Sequence, residues 1–285
     1  MATRAEKKSL RYAASPWVRG AFRILEAGAP PLAVRLATRA FCKPKRRVPR
    51  PIESKILEGA RRHEIHCNDQ RIIVHVWGTG PLVLLHHGWS GSGAQMAPLA
   101  DALARGGYSV AVVDARAHGQ SPGSKAALPL MATDLACVGA GLGPVYALVG
   151  HSMGAMICAR AMQTGLTAQR IVMIATPAEI MPYLRFFQRS LGLEDRTVEG
   201  IISLLRKRFG LSPAEATAET LAAGRDEPLL ILHDRQDPDV PLRHPQAWVN
   251  AWPGARLELT DGLGHRRILR DEGVAGRVLG FMDEG

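Results

Sequence analysis

From about Arg62 onward, short apolar runs alternate with amphipathic stretches. "RHEIHCN" and "RIIVHVWG" alternate polar and apolar positions and meet at Asp69-Gln70, so a β-hairpin is predicted there. "PLVLLHHG", "SVAVVDA", "VYALVG", "RIVMIA" and "PLLILHD" are nearly continuous apolar runs of strand length, as expected of strands buried on both faces. "ARLELT" reads as one more strand. Ala97–Arg105, "LPLMATDLACVGAGL", Ser152–Gln163 and Arg267–Met282 carry helical patterns between and after them. Buried strands alternating with helices predict an α/β fold, a mostly parallel sheet flanked by helices.

Two stretches fall outside that alternation. The interval Thr176–Asp226 is too long for a simple connection and holds the amphipathic patterns "IMPYLRFFQRSLGL" and "VEGIISLLRKRFGL". A helical cap insertion is expected at about 176–226. Ahead of the main body, "WVRGAFRILEA" and "LAVRLATRAF" predict two short helices, parted where Pro30-Pro31 cannot continue a helix. The basic, proline-bearing "CKPKRRVPRP" then reads as a linker. Residues 1–61 are thus taken as a helical arm with its linker, and 62–285 as the main domain.

Charge sharpens this division. Residues 1–62 hold 16 Lys+Arg against 4 Asp+Glu, whereas the remaining 223 hold 20 against 22. The basic character belongs to the arm, and a nucleic-acid partner is not expected for the main body. The arm is expected to fold its apolar sides against the main domain, with membrane-surface contact secondary. Cys42, Cys67, Cys137 and Cys158 are scattered, without metal-ligand spacing, and read as buried thiols in a reducing compartment. No run approaches the length of a membrane span and the N-terminus lacks a secretory apolar region, so a cytoplasmic location is expected.

One short motif carries chemistry. In "YALVGHSMGAMICARAM" an apolar run is cut by Gly150-His151-Ser152-Met153-Gly154, and a helical pattern then resumes. A sharp strand-to-helix turn projects its middle residue and crowds the residues two before and two after, which must be small. Ser152 is the candidate nucleophile. It needs a base, and the base an orienting acid. The strand "PLLILHD" runs into a turn with Asp234, Asp237 and Asp239. The strand "ARLELT" runs into Asp261 and then "GLGH", which brings His265. Asp237 is the preferred acid and His265 the base, in the order Ser, Asp, His expected on such a sheet. The N–H of Met153 and that of Trp89, in "HHGWSGSG", are the candidate oxyanion donors. His87 reads as a support for that loop. The aspartate cluster lacks the glycine and glutamate of an EF-hand loop, so no metal or other cofactor is expected.

These residues resemble the α/β-hydrolase family. The resemblance rests on "HHGWSGSG", "DARAHGQSPG", "GHSMG", "LLILHDRQDPDVP" and "GLGHRRIL", and it spans about Val83 to Glu284. It implies that Ser152, Asp237 and His265 form a catalytic triad and that Trp89 and Met153 form the oxyanion hole. Ala117 stands where the family usually has glycine. His233-Asp234 stands where many members have His-Gly, and is expected to stiffen the turn before Asp237. The activity implied is hydrolysis of a small or medium carboxylic ester. The alternatives are a thioesterase or lipase-like enzyme with Met181, Leu184, Phe186 and Phe187 lining a long tunnel, and a non-catalytic binding relative.

Overall fold

The structure is a computed structural model that describes residues 14–284. The expectation about a secretory segment rests partly on residues 1–13, which lie outside the described ones. The described residues fall into two compact units.

The larger unit comprises residues 44–178 and 218–285. Its strands are β1 (Arg61–Cys67), β2 (Gln70–Trp77), β3 (Leu82–His86), β4 (Ser109–Asp114), β5 (Val145–His151), β6 (Arg170–Ile174), β7 (Leu229–Asp234) and β8 (Ala255–Thr260). They form one sheet in the order β1-β2-β4-β3-β5-β6-β7-β8. The β1–β2 hairpin is antiparallel, and β2 joins β4 antiparallel. Every pairing from β4 to β8 is parallel. The continuous apolar runs are buried as their composition requires: Val83, Leu85, Val149, Val172, Leu230 and Leu232 share one core.

Register places the loops that matter. His86 lies opposite Gly150, so the loop leaving β3 emerges beside the turn leaving β5. Asp234 lies opposite Thr260, so the turns after β7 and β8 emerge side by side. Ligands of open α/β sheets bind at such carboxyl ends, where the winding direction reverses. Here β3 has β4 on one side and β5 on the other.

The predicted final helix, Arg267–Met282, is broken. A short turn of helix at Gly264–Arg267 and a 3₁₀ turn at Ile268–Arg270 precede a helix at Glu272–Asp283. Asp271 is the cause: its backbone is extended, and its side chain accepts the N–H of Val274 at 3.0 Å, capping a fresh helix start.

Among the described residues, the smaller unit comprises 14–43 and 179–217. Its helices are α1 (Pro16–Gly28), α2 (Pro30–Phe41), α3 (Met181–Leu191) and α4 (Asp195–Phe209). Phe22, Ala37, Leu184, Leu191, Val198, Ile201 and Leu205 share one core. The arm was expected to fold its apolar sides against the main domain, and within the span so taken it packs on the insertion, with which it forms one unit. The reason lies in the apolar stripes: each of these four helices is too short to bury its own, and together they close a core. Leu184 is fully buried there, and the ring of Phe187 meets Phe41 at 5.3 Å between centroids. Those two insertion residues hold the arm rather than line a tunnel. The linker continues into a helix at Pro51–Glu58, and both belong to the larger unit from Pro44 on.

The thiol expectation is corrected for one pair. Cys67, at the end of β1, is disulfide-bonded to Cys137, in the helix Leu128–Leu142. Cys42 and Cys158 are buried free thiols. Disulfides persist in oxidising compartments, so the cysteines no longer argue for a reducing one. Among the described residues no helix is long and apolar enough to cross a membrane.

Candidate active site

The turn after β5 has the strain its sequence implies. Ser152 sits at φ 55° and ψ −128°, just ahead of a helix that runs from Met153 to Gln163. A non-glycine residue holds such a conformation only when its surroundings impose it. Here the crowding is explicit. A Cβ on Gly150 would lie 2.3 Å from Ala155 Cα, and one on Gly154 would lie 2.2 Å from the carbonyl oxygen of His86. Either side chain would force the turn apart.

The turn after β7 carries Asp237, and its carboxylate is almost wholly buried. Oδ2 meets His265 Nδ1 at 2.8 Å, while Oδ1 accepts the N–H groups of Asp239 (2.7 Å) and Val240 (2.9 Å). Burial works against the charged form. The hydrogen bond and charge of His265, with the two backbone donors, outweigh it and hold the carboxyl below its usual range. An ionised carboxylate can only accept, so Nδ1 of His265 carries a proton, and the tautomer selected for the neutral ring is the one with its lone pair on Nε2.

Asp234 fills a different role from its neighbour. Its buried carboxylate accepts from Gln236 N–H (3.0 Å), Thr260 Oγ1 (2.9 Å) and Leu263 N–H (2.8 Å). It therefore ties the turn bearing Asp237 to the loop bearing His265. The three aspartates are not gathered for a cation, since the carboxylates of Asp234 and Asp237 are spent on their own loops. Among the described residues no three His, Cys, Asp or Glu side chains are grouped to hold a metal.

His151 links this loop to the nucleophile turn. Its Nε2 donates to the carbonyl of His265 at 2.8 Å, and the two rings lie 4.9 Å apart. Burial pushes His151 down to about 3, so it stays neutral. His265 is thereby held against the residue that precedes Ser152.

The loop after β3 is fixed by histidines. His87 Nε2 accepts the N–H of Ala115 (3.1 Å), so its Nδ1 is protonated and donates to the carbonyl of Gly88 (2.7 Å). In a trans peptide the carbonyl and the following N–H point opposite ways. Holding the Gly88 carbonyl thus sets the direction of the Trp89 N–H, which has no acceptor among the described residues. Gly88 is needed at this point: a Cβ there would lie 2.9 Å from Ser152 Cβ and 3.3 Å from its Oγ. His118 Nε2 in turn accepts the N–H of Ser90 at 3.0 Å. Burial lowers His87 to about 4 and His118 to about 3, which keeps both neutral and able to accept. Met153 is the first residue of its helix, where N–H groups have no partner within the helix.

Sequence reasoning missed what fastens these loops from outside. Arg46, read as part of a linker, donates to the carbonyls of Gly119 (2.5 Å), Ser121 (2.8 Å) and Gly123 (3.2 Å). The N–H of Lys45 donates to Ser90 Oγ at 3.0 Å. No local pattern could have announced bonds across more than 40 positions. Ala117, flagged for standing where glycine is usual, does take the left-handed conformation, with φ 63°.

Comparisons with known proteins bear on the fold that carries this geometry. Residues 81–190 match the family described as alpha/beta hydrolase fold. The chain has the alpha/beta hydrolase fold. Solved structures similar to it include an esterase from Pyrococcus furiosus, 21% identical, covering 84% of this chain and 95% of that one at a TM-score of 0.62. An esterase from a Rhodococcus species is 19% identical, covering 79% and 99% at 0.60. A bromoperoxidase from Bacillus anthracis is 20% identical, covering 79% and 100% at 0.61. At these identities the likeness is one of fold. No curated protein sequence is recognisably similar to the chain.

Proposed function

We propose that this chain is a serine hydrolase of the alpha/beta hydrolase family that cleaves carboxylic esters. The observation that carries the reading is the 2.8 Å bond from His265 Nδ1–H to buried Asp237, on a loop held to the residue preceding strained Ser152. His265 Nε2 takes the proton of Ser152 Oγ as that oxygen attacks the ester carbonyl. Asp237 keeps the imidazole in the right tautomer and balances its charge once protonated. The N–H groups of Trp89 and Met153 receive the oxyanion. His265 then gives its proton to the leaving alcohol. A water, deprotonated by His265, attacks the acyl-enzyme; the bond to Ser152 Oγ breaks, His265 returns the proton to that oxygen, and the acid leaves. The esterases among the similar folds support this reading, while the bromoperoxidase is a reminder that the fold alone does not decide the reaction.

The test is a series of activated esters and thioesters of increasing acyl length, alongside labelling by a fluorophosphonate. We expect turnover of the short esters, and labelling that Ser152→Ala abolishes while thermal unfolding stays unchanged. Labelling that survives in Ser152→Ala would overturn the nucleophile. Absence of both labelling and turnover would favour a binding relative, and preference for long acyl chains or thioesters would move the substrate class.

A further inference from the structure

The helices of the smaller unit bury one side and leave the other unexplained. In α1, Phe22 and Glu26 are buried; in α2, Ala33, Ala37 and Thr38 are buried. On α1 the exposed apolar residues Trp17 (88% exposed) and Ile24 (75%) are seven apart, which puts them on one stripe, away from Phe22 and Glu26. On α2, Leu32 and Leu36 are also exposed, four apart. A helix packed on one side has no structural need of tryptophan and isoleucine on the other.

Charge accompanies these residues. Arg23, Arg35 and Arg39 are exposed on the same two helices, and on α2 Arg35 and Arg39 interleave with Leu32 and Leu36. The acidic residue of these helices, Glu26, is fully buried, where it accepts the N–H of Glu194 at 2.9 Å. On each of the two helices the exposed side is therefore apolar and cationic, with no carboxylate of α1 or α2 on it. Residues 1–13 add four basic residues and one acidic one.

We infer that this face docks on an anionic lipid surface. An exposed apolar stripe with arginines beside it suits a helix lying in the headgroup region, the apolar side chains entering the acyl boundary and the cations meeting lipid phosphates. Tryptophan is the side chain most at home at that depth. A second copy of this chain is a poorer occupant, since self-pairing would bring Arg23, Arg35 and Arg39 against their own equivalents. A nucleic acid would match the charge but would gain nothing from Ile24, Leu32 and Leu36. The inference does not depend on the esterase reading, because none of these residues belongs to the candidate active site.

The experiment is co-sedimentation of the full chain with vesicles of phosphatidylcholine alone and with phosphatidylglycerol mixed in. We expect binding to the mixed vesicles, little to the neutral ones, and weakening as salt rises. The double variant Trp17→Ser, Ile24→Ser should bind at least about tenfold more weakly, because it removes exposed apolar surface, with melting temperature and any ester turnover unchanged. Arg35→Glu with Arg39→Glu should weaken binding to the anionic vesicles alone. Equal binding to both vesicle types, no binding to either, or wild-type binding by both variants would overturn the proposal. So would a wild-type dimer that the Trp17→Ser, Ile24→Ser variant abolishes, or tighter binding to a DNA duplex than to the anionic vesicles.

Discussion

Three aspartates lie within six residues of the end of β7, and their surroundings separate them. Asp237 meets an imidazole Nδ1 and two backbone donors, whereas Asp234 meets two backbone donors and a threonine hydroxyl. What Asp239 gives to its neighbour is its backbone N–H, which any residue supplies. Asp237→Asn should therefore lower kcat of ester hydrolysis by up to about 10⁴-fold, because an amide no longer fixes the histidine tautomer. Asp239→Asn should stay within a few-fold of wild type. Asp234→Asn should act on stability, since its loss frees the His265 loop from the Asp237 turn. Steady-state kinetics and thermal melts of the three variants check this ordering; a larger kinetic loss at Asp239 than at Asp237 would reassign the acid. The glycine spacing around Ser152, and glycine next to His265, were legible in the sequence because the constraint there is local crowding. The sequence preferred Asp237, but telling the roles of the aspartates apart needed the fold, because it depends on which carboxylate meets the His265 imidazole.

Loops, rather than strands, are where the sequence was hardest to read. The strands announce themselves by apolar runs, and their register alone brings the β3, β5, β7 and β8 loops together. Part of what stiffens the β3 loop, and the loop after β4 beside it, comes from a segment with no pattern of its own. Arg46 joins three carbonyls of one loop, and Lys45 reaches Ser90 in the next. Ser90 is also bound by His118, and it follows Trp89 directly. This segment is thus a strap on the candidate oxyanion loop. Arg46→Ala should lower kcat by roughly tenfold, less than the roughly 100-fold that a 1 Å misplacement can cost, with KM little changed. Arg46→Lys should not restore the rate, because an ammonium lacks the planar fork that spans three carbonyls. Comparable kinetics for all three proteins would show that the strap is structural and does not set the loop.

At the scale of the whole molecule, the least legible features joined distant segments. The pairing of the arm with residues 179–217, and the bond between Cys67 and Cys137, link positions far apart in the chain, which periodicity cannot register. The histidines are distributed just as unevenly. All ten lie in residues 44–178 and 218–285, and the smaller unit has none. Burial lowers His86, His87 and His244 to about 4, and His118 and His151 to about 3. In the unfolded chain each would titrate near about 6.5. Between that value and about 4 the unfolded state binds more protons than the folded one, so stability falls as pH falls through this window. Above about pH 7 both states hold these groups neutral and the dependence vanishes. Self-repulsion of a cationic chain also grows on acidification, but salt screens it, whereas the cost of charging a buried imidazole is insensitive to salt. We expect amides of the sheet unit to lose hydrogen-exchange protection between about pH 6.5 and pH 4.5 in high salt, after correction for intrinsic exchange. Amides of α1, α2, α3 and α4 should keep theirs. Equal loss in both units would mean that the acid response is general charge repulsion or a shared unfolding step rather than the buried histidines of one unit.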